Sequence, residues 1–181
     1  VGSCEASESR DRRRRVAWVF AFGSLMVDAV LGRYRARPAR LPDYRRAFLH
    51  ESRRRWGTPE SPCPILGLAP GGECWGLAFE VPDAERRAVQ SALEKREAAQ
   101  ERRRETRTTE TPEGPVDAWV WVSWPSNGSG EADVETVEAR LRAAHGVVGT
   151  GIEYVRTLVH AMEPHGIRDP LVEGLWKRLQ D

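Results

Sequence analysis

The sequence contains few cysteines and few histidines. Its three cysteines are an odd number and include no C-x-x-C pair, which argues against a disulfide framework and fits a reducing compartment. Its four histidines show neither an H-E-x-x-H motif nor a metal-site spacing with the cysteines. We therefore predict that the protein has no metal site.

Long apolar runs are also missing. No stretch approaches the roughly 18–20 apolar residues that a membrane-spanning helix needs. The first 15 residues, VGSCEASESRDRRRR, lack the apolar core of a secretory signal. We predict a cytoplasmic protein that has no membrane partner.

Lysine is scarce, whereas arginine is abundant. Of 28 basic residues only Lys95 and Lys177 are lysines, and 27 acidic residues bring the net charge to +1. Arginine clusters within 10–15, 53–55 and 102–104 leave open an arginine-rich nucleic-acid-binding module. Because acidic residues are interleaved and no recognition-helix, RRM or zinc motif is present, we favour the interpretation without a nucleic acid partner.

The order of apolar and polar segments predicts an α+β fold. With 181 residues the chain is long enough for a single domain, which we place at residues 16–181, after a disordered basic tail over residues 1–15. Residues 53–64 contain three prolines and a glycine and are predicted to be loop, whereas the polar span 102–110 suggests no regular element.

Bulky apolar residues predict the strands, and helical periodicity predicts the helices. A Gly71-Gly72 turn predicts a hairpin between residues 65–70 and 73–81. The other predicted strands are 16–22, 44–50 and 116–124. The predicted helices are 84–99 with Asp83 as its N-cap, 131–144, and a closing helical pair broken at Pro164 and Gly166.

Five stretches, in this order, carry a resemblance to a known family. They are VFAFGSLM (19–26), YRRAF (44–48) with RWGTPESPC (55–63), CWGLAFEV (74–81), LEKREAA (93–99) and GTGIEYVRTLVHAMEPHGIRDPLVEGL (149–175). Together they resemble the ChaC family of γ-glutamylcyclotransferases over roughly residues 16–180. The resemblance implies a small closed mixed β-barrel with helices packed around it.

The resemblance also implies a reaction. Members of that family cleave a γ-glutamyl amide, usually that of glutathione, when the substrate's own α-amine attacks the side-chain carbonyl and releases 5-oxoproline and an amine or peptide (Cys-Gly from glutathione). The enzyme must fold the substrate into an attack geometry, take a proton from the amine and stabilise an oxyanion. None of these tasks requires a cofactor, so we expect none, and the expected partner is a small γ-glutamyl compound.

The resemblance assigns roles to individual residues. The segment Phe22, Gly23, Ser24, Leu25 and Met26 is expected to wrap the glutamyl group, because Gly23 permits close approach and the following backbone N–H groups are donors. Phe22 stands where the family more often has Tyr, so a phenolic hydroxyl is missing. The segment is no G-x-S-x-G elbow and has no matching His/Asp pair, so a serine hydrolase is disfavoured.

Thr58 and Glu60, in the stretch WGTPE, match the loop residues of that family and are candidates for the site. A rigid loop braced by proline is the alternative interpretation of the same stretch.

Glu97 matches the catalytic acid/base of the family. It competes with Glu94, Glu101 and Glu105 on the same charged run, but it alone follows an arginine within L-x-x-R-E. A base that acts on an ammonium is expected to be partly buried.

The chain departs from the resemblance just after Glu97. ChaC members commonly continue into a Gly-Gly-Tyr element, whereas this chain reads Glu101-Arg102-Arg103. The change leaves open another γ-glutamyl substrate or a non-catalytic relative that binds γ-glutamyl metabolites. The sequence does not indicate an oligomeric state.

Overall fold

The computed structural model describes residues 16–98, 102–123 and 131–181. The predicted tail over residues 1–15 lies outside the described residues, as do Glu101 and the end of the predicted strand at Trp124.

Within these described residues, five strands form a closed mixed barrel, which confirms the predicted fold class. Around the barrel their order is β1-β3-β2-β4-β5. All neighbours pair antiparallel except β1 and β5, which close the barrel in parallel with Trp18 opposite Ala118. The bounds are β1 (Val16–Ala21), β2 (Arg35–Ser52), β3 (Cys63–Pro82), β4 (Arg102–Thr111) and β5 (Gly114–Ser123).

The predicted hairpin at Gly71-Gly72 is wrong, because both apolar runs belong to the one strand β3. β3 pairs with β2 from Arg35–Glu80 to Ser52–Cys63, and the register shifts between Pro42 and Tyr44. Gly71 and Gly72 have positive φ at this shift, so they bend the strand and do not reverse it. β2 is longer than the predicted short strand, because its prolines pair with residues of β3 and do not end the strand.

The polar span after residue 101 is a strand, which sequence periodicity did not indicate. β4 pairs with β5 along its whole length, from Arg102–Ser123 to Thr111–Gly114. Most of its side chains are partly or fully exposed. Pairing with the buried strand β5 therefore determines its conformation, and the hydrophobic pattern of β4 itself does not.

In the described part of the chain, four α-helices pack around the barrel, close to the predicted positions. Their bounds are α1 (Arg86–Glu97), α2 (Val134–Ala143), α3 (Gly151–Met162) and α4 (Pro170–Gln180). The predicted break between α3 and α4 is confirmed, because a 3₁₀ turn over Glu163–His165 ends at Gly166, which has a φ of 65°.

Side-chain caps fix the start of three of these helices. Asp133 caps α2, Asp169 caps α4, and Thr150 forms a capping box with Glu153 at α3. The prediction that Asp83 caps α1 is wrong, because Asp83 lies in a 3₁₀ turn before that helix. None of the described helices is long and apolar enough to cross a membrane.

Candidate active site

A cleft lies where the segment after β1 meets the end of α1 and one face of α3. Its volume is about 340 Å³ when the adjoining space open to solvent is included. Five predicted site residues line it, namely Phe22, Gly23, Ser24, Leu25 and Glu97. The sequence analysis did not select the other six, which are Phe20, Ile65, Leu66, Arg102, Trp121 and Tyr154.

The segment after β1 brings backbone donors to the cleft. Residues Ser24–Val27 form one 3₁₀ turn, which starts with the Met26 N–H donating to the Gly23 carbonyl at 2.9 Å. The first amides of such a turn have no acceptor within it, so the N–H groups of Ser24 and Leu25 are available as donors.

A buried arginine holds this segment in place. The side chain of Arg46, on β2, is only 1% exposed. It donates to the carbonyls of Phe22 at 2.8 Å and Trp75 at 2.5 Å, and to Asp169 Oδ2 at 2.8 Å. One guanidinium thus ties the segment after β1 to β3 and to the N-cap of α4.

Glu97 is buried, as expected of the base. It is the last residue of α1 and continues the inward stripe of Val89 and Leu93, so its carboxylate faces the cleft with the residue only 3% exposed. Its Oε2 accepts from Arg102 Nη1 at 2.7 Å, and its Oε1 lies 3.4 Å from Arg96 Nε.

The competing glutamates differ from Glu97. The side chain of Glu94 is 46% exposed and pairs with Arg104 at 3.1 Å. Glu105 lies on β4 and pairs with Arg103 and Arg107. Neither lines the cleft.

Arg96 braces the donor segment from the other side. It pairs with Asp28, and its Nη2 donates to Ser24 Oγ at 2.9 Å. The Ser24 hydroxyl is therefore held by a cation and has no imidazole beside it within the described residues. This arrangement disfavours Ser24 as a nucleophile.

Tyr154 forms the wall opposite Gly23. Its hydroxyl accepts from the Leu66 N–H at 3.0 Å, and burial raises the pKa of the phenol. A Cβ at Gly23 would lie 4.0 Å from this hydroxyl, so Gly23 and Tyr154 face each other across the cleft. The signal in the sequence was the buried stripe of α3, to which Tyr154 belongs.

Three predicted site residues do not reach the cleft. Met26 is buried but does not line it, because its side chain packs into the core. Thr58 and Glu60 lie in the loop between β2 and β3, where Thr58 and Ser61 bond to each other and Glu60 is exposed. This arrangement matches the alternative interpretation of a rigid loop.

A metal centre has no support in the part of the chain that the structure describes, where no three His, Cys, Asp or Glu side chains cluster. His50 is bonded through Nε2 to Ser123 Oγ at 2.6 Å. Burial, and secondarily the charge of Arg102, lowers its pKa to about 4.

Known proteins are similar to this chain in sequence and in fold. The sequence model of the ChaC-like protein family matches residues 17–181. A glutathione-specific γ-glutamylcyclotransferase 1 of Danio rerio is 28% identical over 153 residues, which are 80% of this chain and 78% of the relative. A γ-glutamylcyclotransferase 2-1 of Arabidopsis thaliana is 30% identical over 161 residues, which are 81% of this chain and 74% of the relative.

The fold matches a crystal structure of a yeast γ-glutamyl cyclotransferase specific to glutathione. The TM-score is 0.81 at 17% identity, and the match covers 92% of this chain and 96% of the yeast chain. The fold is therefore shared with that protein. Because the family model covers nearly the whole chain, the protein belongs to the ChaC-like family.

Proposed function

We propose that the protein is a γ-glutamylcyclotransferase that cleaves glutathione to 5-oxoproline and Cys-Gly. Membership of the ChaC-like family and the name of the relative from Danio rerio, a glutathione-specific γ-glutamylcyclotransferase, support this proposal.

The observation that carries the proposal is the convergence of Glu97 with the backbone donors of Ser24 and Leu25 on one cleft. A carboxylate beside the substrate amine accepts its proton, and N–H groups beside the carbonyl stabilise the oxyanion. The walls formed by Phe20, Phe22 and Trp121 are apolar, so they exclude water and strengthen both interactions.

The reaction balances without water or a cofactor. Glu97 takes a proton from the α-ammonium, and the free amine nitrogen bonds to the γ-carbonyl carbon. The amide C–N bond then breaks as Glu97 gives this proton to the departing nitrogen. The ring nitrogen still carries one proton too many, and Glu97 passes this second proton to the released amine, so 5-oxoproline keeps one N–H and Cys-Gly leaves as an ammonium. The cleft contributes by holding amine and carbonyl together, which in well-oriented intramolecular reactions is worth effective molarities on the order of 10⁵–10⁸ M.

Two further features fit this function. Cys63 and Cys74 are free thiols, which suits a protein of the reducing cytoplasm, and burial raises the pKa of each, to about 12 and about 11. Surface arginines pair with glutamates, as Arg40 does with Glu110 at 2.7 Å, which weakens the case for nucleic acid binding.

The test is 5-oxoproline release from glutathione and from simpler γ-glutamyl amides without added metal. Glu97→Gln should lower kcat by roughly 10²–10⁴-fold, the usual contribution of a positioned base, while the fold is retained. Glu94→Gln, on the exposed side of the same helix, is the matched control and should remain active. Full activity of Glu97→Gln would show that another group is the base.

A further inference from the structure

One residue of the cleft has no role in the function proposed so far. The guanidinium of Arg102 stands inside the cleft, with its side chain 12% exposed. It donates to Glu97 Oε2 at 2.7 Å through Nη1 and to the Leu66 carbonyl at 2.5 Å through Nη2. The Phe22 ring lies 5.8 Å away and covers the guanidinium, so the cation has little access to bulk water.

One nitrogen of this guanidinium makes no hydrogen bond. Arg102 Nε is buried and has no hydrogen-bond partner among the described residues. A buried N–H group without an acceptor is costly, and such groups in native structures are commonly satisfied by a ligand or water. The unused donor belongs to a side chain that lines the cleft, so the natural acceptor is an anionic group of a bound molecule.

Glu97 and Arg102 together present adjacent opposite charges, 2.7 Å apart. The α-carbon of a γ-glutamyl group carries the complementary pair, an ammonium and a carboxylate on one atom. A substrate whose ammonium approaches Glu97 therefore brings its α-carboxylate to the neighbouring cation. Planar guanidinium groups suit this interaction, since they bind carboxylates with paired hydrogen bonds.

We propose that Arg102 binds the α-carboxylate of the γ-glutamyl substrate and so makes that carboxylate a requirement for turnover. This inference rests on the proposed function. It divides the cleft into three parts: Glu97 for the amine, Arg102 for the α-carboxylate, and the backbone N–H groups of Ser24 and Leu25 for the γ-carbonyl oxygen. The substrate is then held at three points, which orients the amine toward the carbonyl.

The test uses two substrates that differ by this carboxylate alone, glutathione and 4-aminobutyryl-Cys-Gly. Both release Cys-Gly on cyclisation, so one assay gives kcat/KM for both. Wild-type protein should prefer glutathione. In Arg102→Met the preference should shrink by roughly 10- to 100-fold, the range expected for a hydrogen-bonded charge pair, because glutathione alone loses a contact. Arg102→Lys, which keeps the charge, should retain part of the preference.

A second readout separates recognition from folding and from positioning of Glu97. Inhibition by 5-oxoproline and by 2-pyrrolidinone, which again differ by the carboxylate, should show the same change in ratio in Arg102→Met. Arg104→Met, two residues along β4 and outside the cleft, is the control and should keep the wild-type ratios.

The outcomes are distinguishable. An equal loss for both substrates, with unchanged inhibitor ratios, would mean that Arg102 merely positions Glu97 and would overturn the inference while leaving the proposed function intact. Absence of Cys-Gly release from glutathione by the wild-type protein would overturn the proposed function and this inference together.

Discussion

Replacing Arg46 should cost a large part of the stability of the protein. Arg46→Met removes the three hydrogen bonds that the guanidinium donates. The carbonyls of Phe22 and Trp75 and the carboxylate of Asp169 then lose this donor. Breaking a buried ion pair by removing one partner costs about 3–5 kcal/mol. Methionine recovers part of the packing, so we expect a loss of about 4 kcal/mol in the free energy of unfolding. A typical domain has about 5–15 kcal/mol in total.

The assay is urea unfolding followed by tryptophan fluorescence, with linear extrapolation to water. Arg45→Met is the matched control. The neighbouring Arg45 is 45% exposed in its side chain and pairs with Glu131 on the surface, where such pairs are worth about 0–1 kcal/mol. If Arg46→Met lost less than about 1 kcal/mol, or no more than Arg45→Met, the buried guanidinium would not be the link between the donor segment and α4.

Two further predictions concern Gly23 in the cleft and His50 on β2. Gly23→Ala should leave the free energy of unfolding nearly unchanged, because the new Cβ would lie 4.0 Å from the Tyr154 hydroxyl. It should lower kcat/KM roughly 100-fold, since the methyl group enters the space that we propose for the substrate. Unchanged turnover would place the substrate elsewhere. His50 should make the free energy of unfolding decrease as the pH falls from 6.5 to about 4, because the unfolded chain binds a proton in this range that the folded protein does not. In His50→Gln the free energy of unfolding, measured in a pH series, should change less over that range. An unaltered pH dependence would assign it to other groups.

The sequence was informative where local pattern and packing agree. The sequence predicts the strand before Gly23, the strand ending near residue 123 and the two closing helices. In each of them the apolar residues that form the local pattern are also the residues that are buried. The burial of Glu97 also follows a local rule, since it lies four residues beyond Leu93 on the inward face of α1.

The remaining features depend on partners that are distant in the chain. Gly71 and Gly72 have the composition of a hairpin turn, but the shifted pairing with β2 makes them a bend. β4 is too polar to be predicted as a strand and is held by β5. Arg102 looked like one arginine in an exposed cluster, and only the closed barrel places its guanidinium beside Glu97.

The parallel seam between β1 and β5 has a consequence for synthesis and folding of the chain. It joins Trp18 to Ala118, which are about a hundred positions apart. Bringing together residues so distant in the chain costs conformational entropy, so this pairing forms slowly. Phe20 stands on one side of the seam and Trp121 on the other, and both are walls of the cleft. A growing chain therefore lacks two walls of the cleft until its fifth strand has been made and docked, so the cleft cannot be complete before the ring closes.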